Sequence, residues 1–250
     1  AAPPDSAIRP DRVKAIMRTE TMPATKPFGA LYRLLAWTSP SYPIGAFSYS
    51  HGLEWAVECG SVADRDALID YVATVIGQGG GWVDAVLFAQ IHAAADDPDT
   101  LARQVELAAA FRGSAETARE AWQQGEAFLR TTRAAWPHPA LDRMAETFAG
   151  RPVAHAAVLA VACAAHGIPV RAGLAACLHG IAANLVSAGV RLIPLGQTDG
   201  QMAIALLASQ VEAVCDRALR TPLDALGTSA PIVEVCSLRH ETQYTRLFRS

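Results

Sequence analysis

From Phe28 onward, apolar positions recur at three- and four-residue spacing, Ala and Leu are abundant, and the strict alternation of a half-buried strand is scarce. Breaks fall at Gly, Pro and Asp. The pattern predicts an all-α protein, a single-domain helical bundle of about ten helices over 28–250. A first helix covers 28–37. A second starts close to Phe47 or Ser48, and a third is capped by Asp64 or Asp66 and runs through Ile69 and Val72 to Ile76. Beyond the glycine-rich run 77–81 lies a helix over 82–95. Asp97-Pro98 opens one that reaches Phe111, and Ser114 caps an amphipathic one that reaches Arg130. The turn at 136–139 leads to a short helix ending at Gly150. A loop over 190–201, with Pro194 and Gly196, precedes a long helix from Met202 to Arg220, and Thr221-Pro222 starts a further short element.

Two stretches, 152–170 and 172–190, contain no Asp, Glu, Lys or Arg and are long enough to span a bilayer. They are dominated by Ala, carry His155, His166, His179 and Asn184, and are separated by Arg171 alone. So short a polar link, with so few Leu, Ile and Phe, favours a buried helix pair at the centre of the bundle over a membrane hairpin. The three consecutive glycines at 79–81 follow no strand, so they predict a hinge or a close helix crossing rather than an anion site.

Residues 39–55, SPSYPIGAFSYSHGLEW, combine turn chemistry, aromatic rings and an abrupt switch into helical sequence. Pro40 and Pro43 fix φ and disfavour helix before them, and Gly45 permits a backbone angle other residues resist. Glu54 and Glu58 then share one helical face. Three chemistries compete with a structural role. A serine nucleophile at Ser48 or Ser50 beside His51 lacks the G-x-S-x-G elbow. A metal pair of His51 and Glu54 lacks a matching Glu-x-x-His on another helix, and a phosphate loop lacks its Lys-Ser or Lys-Thr. The stretch therefore reads as a fold-fixing motif in which Pro43, Gly45, Phe47, Tyr49 and Glu54 set a turn, launch a helix and shape a surface near the tail or a dimer face.

A chain of 250 residues with 51% hydrophobic content can bury a substantial core, and a net charge of -3 without a basic stripe argues against nucleic-acid binding. The cysteines at 59, 163, 177, 215 and 236 are widely spaced and read as reduced core thiols of a cytoplasmic protein. Residues 1–27, rich in Pro, Ala, Thr and charge and without an apolar h-region, read as a disordered leader and not a signal peptide. Cys163 and His166 lie one turn apart, yet no Cys-x-x-Cys or His-x-x-x-His occurs, so a permanent metal site is not expected. A rival function, a helical metal-binding enzyme or carrier, would use His51, Glu54, Cys163 and His166. The segment 237–250, SLRHETQYTRLFRS, has a net charge of +2 and the apolar bulk of Tyr244, Leu247 and Phe248, and reads as a binding tail.

Three separated stretches, 39–55, 184–201 (NLVSAGVRLIPLGQTDGQ) and 237–250, resemble the urease accessory protein UreF family in order and spacing. The resemblance runs from Phe28 to Ser250. It implies an all-helical, non-enzymatic maturation factor, usually a homodimer, that bridges the accessory protein UreD (also called UreH) and the nickel-carrying GTPase UreG. In that role it supports GTP-dependent nickel insertion into apo-urease. No active site and no resident cofactor are implied, only nickel in transit, and no nucleic acid or membrane partner. The tail is expected to order with UreD and to support the loop at 194–197. Partner binding is accordingly assigned to Arg239, His240, Glu241, Gln243, Tyr244, Arg246, Phe248 and Arg249, and to Pro194, Gly196 and Gln197. Arginine forks and aromatic anchors suit such interfaces. Removal of 239–250 is expected to leave a folded helical protein that no longer holds UreD. The alternative is a tail docked on its own bundle.

Overall fold

Three helices start where a side chain can accept from an otherwise unpaired main-chain N–H. Asp64 accepts from Ala67 N, Asp97 from Thr100 N, and Ser114 forms a reciprocal capping box with Thr117. The computed structural model describes residues 27–250, and the leader reading for 1–27 lies, Pro27 apart, outside the described residues. In chain order the helices are α1 Pro27–Trp37, α2 Leu53–Glu58, α3 Arg65–Gln78, α4 Gly80–Ala93, α5 Pro98–Ala110 and α6 Ala115–Ala135. They continue with α7 Pro139–Thr147, α8 His155–Ala165, α9 Val170–Leu192, α10 Gln197–Ala218 and α11 Pro231–His240. No strand occurs among the described residues.

The centre of the bundle is formed by α4 and α8, which are apolar on all sides and pack on each other. Helix α9 crosses α3, α4, α8 and α10, while α6 covers α8 from the other side. Small residues set these approaches. A Cβ at Gly173 of α9 would lie 2.8 Å from Cys163 Sγ, one at Gly189 would lie 2.5 Å from a methyl of Leu68, and one at Gly125 of α6 would lie 2.0 Å from the Val153 carbonyl oxygen. Between α3 and α4 the glycine run permits the close crossing its composition predicts, since a Cβ at Gly81 would meet Ile76 Cα at 2.8 Å.

Arg65–Ala93 and Val170–Leu192 are long and apolar enough to cross a membrane by length and composition. Within the bundle, 72% and 50% of their most apolar windows are buried, so 172–190 forms a half-covered helix beside the α4 and α8 centre instead of the second member of a central pair.

Several boundaries differ from the sequence pattern, and two have a clear local cause. The helix expected near Phe47 is only a single 3-10 turn, Ala46–Ser48, after which Tyr49 is extended and α2 begins at Leu53. Positive φ at Gly45, His51 and Gly52 interrupts the helical path there. The helix expected from Met202 begins at Gln197, because Asp199 reaches back to the Gly196 N–H at 3.0 Å and caps it.

Candidate functional site

Short α2 presents Glu54 and Glu58 one turn apart, and long α6 presents Glu116 and Glu120 in the same way. The end of α11 and the tail that follows lie against both pairs of carboxylates. His240, fully buried, holds Nδ1 2.7 Å from Glu116 Oε2 and Nε2 3.0 Å from Glu54 Oε2. Both ring nitrogens thus face carboxylate oxygens. Glu54 also accepts the main-chain N–H groups of Leu247 at 2.6 Å and Phe248 at 2.9 Å, and Arg246 donates to Glu116 at 2.8 Å. Gln243 donates to Glu58. Buried carboxylates are stable only with such a full set of donors.

The tail then joins 39–55. Arg249 N donates to Ser48 O at 2.8 Å, and Ser50 donates from both its N–H, at 2.8 Å, and its hydroxyl to Ser250 O. The third motif meets them through α9. Arg191 stacks on Phe47 at 3.7 Å and on Phe248 at 4.4 Å and donates to Phe47 O, while Asn184 donates to Tyr49 O. Gly52 is required twice over. Its φ is +79°, and a Cβ would lie 2.6 Å from Ser237 N in α11. The three motif stretches are therefore one structural unit, and the expected proximity of 39–55 to the tail is met.

The predicted partner residues divide by exposure. His240, Gln243 and Phe248 point into the chain's own fold, whereas Arg239, Glu241, Tyr244, Arg246 and Arg249 are exposed. Tyr244 has no shielding at all, and Leu247, Leu238, Val235 and Ile232 extend its apolar surface along α11. Pro194, Gly196 and Gln197 are exposed beside Arg191 at the turn between α9 and α10. In the fold-fixing set, Pro43 and Gly45 are exposed turn residues, Phe47 lies under Arg191, Tyr49 is buried and donates to Gln123, and Glu54 faces inward as the main acceptor for the tail. That placement changes the expectation for removal of 239–250, because the cut takes out His240 and strips two buried carboxylates of a shared partner.

The residues of the rival metal reading do not meet. Glu54 is occupied by His240 and the tail, and His51 faces Glu120 at 3.4 Å. Cys163 lies in the α4, α8 and α9 core, where burial pushes its thiol up to about 12. His166 packs on Trp37, with its ring held down to about 4 by burial and then by Arg33 and His138. Among the described residues no group of three or more His, Cys, Asp or Glu could hold a metal ion. Sequence reasoning missed Glu116 and Glu120, which lie on the helix it read only as amphipathic. The available signal was their one-turn spacing, matching that of Glu54 and Glu58, in a chain that ends in a basic tail.

Comparison with known proteins identifies the family. The UreF family model matches residues 62–208. A urease accessory protein UreF from Granulibacter bethesdensis is 52% identical over 227 residues, covering 88% of this chain and 94% of its own length. The chain belongs to the UreF family. Further relatives of the same name come from Rhodopseudomonas palustris BisB5, at 46% identity with 88% of this chain and 91% of the relative covered, and from Bradyrhizobium diazoefficiens, at 44% identity with 91% and 94% covered. Both α2 and the tail lie outside the 62–208 span, so the docked unit joins the family core to segments on either side of it.

Proposed function

We propose that this chain is a cytoplasmic urease maturation factor without catalytic activity of its own. In this reading it acts as a homodimer that bridges UreD and the GTPase UreG and supports GTP-dependent nickel insertion into apo-urease, with nickel in transit and never resident. The observation that carries the proposal is the docked unit of 39–55, 184–201 and 237–250. It spends its buried groups on holding the tail and leaves Tyr244, Leu247 and the α11 face of Ile232, Val235 and Leu238 turned outward. Aromatic and arginine side chains on a rigid support are the groups that dominate interface energies. UreD is assigned to this face, and UreG to a composite surface of the assembled dimer.

Mixing the chain with UreD and UreG and measuring complex mass tests the reading. The expected result is a symmetric assembly with two copies of this chain, in which UreG joins only after UreD. A monomer of this chain that captures nucleotide-loaded UreG strongly by itself contradicts it.

A further inference from the structure

We propose that residues 246–250 act as a strap that holds the His51 ring as a removable partition between two clefts in the bundle. One cleft, of about 370 Å³, reaches inward from the 39–47 turn past Ala121 and Asn184 to His155 and Cys177. The other, of about 340 Å³, reaches inward from Gly113 and Thr228 past Phe111 to Ser237. Only His51 and Arg112 line both.

Of the two, Arg112 is fixed. Its guanidinium donates to Asp84 at 2.7 Å and twice to Ala108 O, at 3.0 and 2.7 Å. The His51 ring has no comparable anchor. Its Nδ1 stands 3.4 Å from Glu120 Oε2, and the space for its other edge exists because residue 80 is glycine, where a Cβ would lie 3.0 Å from Nε2. The backbone beneath it is held under strain. His51 is the single non-glycine residue with positive φ, +56°, among the described residues.

The strap and the Tyr71 hydroxyl, which donates to His51 O at 2.9 Å, keep it there. Ser250 O takes both donors of Ser50, Ser250 Oγ lies 3.4 Å from the His51 N–H, and Arg249 N ties to Ser48 O. The same Ser250 hydroxyl donates to Glu120 Oε2 at 2.8 Å, the oxygen nearest the His51 ring. Removing the strap therefore loosens the N–H side of His51, whose carbonyl still accepts from the Tyr71 hydroxyl, and takes Ser250 from the carboxylate that the ring faces. A partner that takes hold of exposed Leu247 acts on this strap directly. The gate rests on geometry within this chain; only its use in maturation depends on the function proposed above.

Crystal structures and NMR of two variants test the gate without any partner protein. In a chain lacking 246–250, the His51 Cα and Cβ shifts are expected to leave left-handed values, and the two clefts to merge. In full-length His51→Gly, the clefts are expected to join while the tail stays docked. Should the shortened chain fail to fold, Phe248→Ala loosens the same segment by removing its buried anchor and is read in the same way. A His51 that keeps its positive φ and ring position after the strap has left overturns the proposal. So do clefts that stay separate in His51→Gly.

Discussion

His240 Nε2 lies 3.0 Å from Glu54 Oε2, joining positions 186 apart in sequence and tying α11 to α2 inside the protein. Glu54 sits on a helix of only six residues, too short to be stable by itself, so its placement depends on what it accepts. Replacing Glu54 with Ala leaves His240 and two tail N–H groups short of a partner. A loss of about 3 kcal/mol in urea unfolding is expected, the scale for breaking a buried pair. A loss below about 1 kcal/mol would place the group in solvent-like surroundings.

Gly125→Ala is expected to cost about 3 kcal/mol, at the upper end for overpacking. The added methyl would lie 2.0 Å from the Val153 carbonyl, and main chain cannot swing aside as a side chain can. Thermal unfolding measures the cost, with Gly180→Ala as the control, since nothing lies within 4 Å of a Cβ there.

Stability should fall as pH drops from about 6.5 towards 4. Burial, aided by Arg112, holds the His155 ring down to about 4 against the opposing pull of Asp84 and Glu120. The unfolded chain binds the proton first, so the neutral ring's contribution is complete above the ordinary histidine value and is lost on descending through this window. One such group contributes at most about 1.4 kcal/mol per pH unit. His155 Nε2 is also buried and has no hydrogen-bond partner among protein atoms, so His155→Leu should flatten the curve without large loss at pH 7. Urea midpoints at pH 4.5, 5.5 and 7 decide this; an unchanged slope in the variant rules out His155 as the source.

Tyr244→Ala and Leu247→Ala remove exposed side chains, so each should change stability by no more than about 0.5 kcal/mol. Both should abolish co-purification with UreD. Retained binding in the double variant would move the interface away from the tail.

The bundle was legible in the sequence because helical spacing, caps at Asp64, Asp97 and Ser114, and the uncharged Ala-rich runs all report local or all-round burial. The 39–55 stretch was legible as a shaped turn near the tail or a dimer face, but not as the acceptor of the tail's main-chain N–H groups. What hid the docked unit was distance along the chain. Glu116 and Glu120 have the spacing of a solvated helix face, and only the arrival of His240, Arg246 and Ser250 from more than a hundred residues away makes that face an interior one. His51 was read for chemistry, whereas its distinguishing property is a backbone angle that no residue pattern reports.

Ser250 is fully buried, with its carbonyl and hydroxyl both engaged. A group fused directly to it would compete with the contacts that hold this segment to Ser50 and Glu120. An affinity handle or fluorescent protein placed there would yield material with a loosened tail, whose binding measurements describe the fusion. Labels belong on an exposed helical side chain of another element, such as Glu146 of α7.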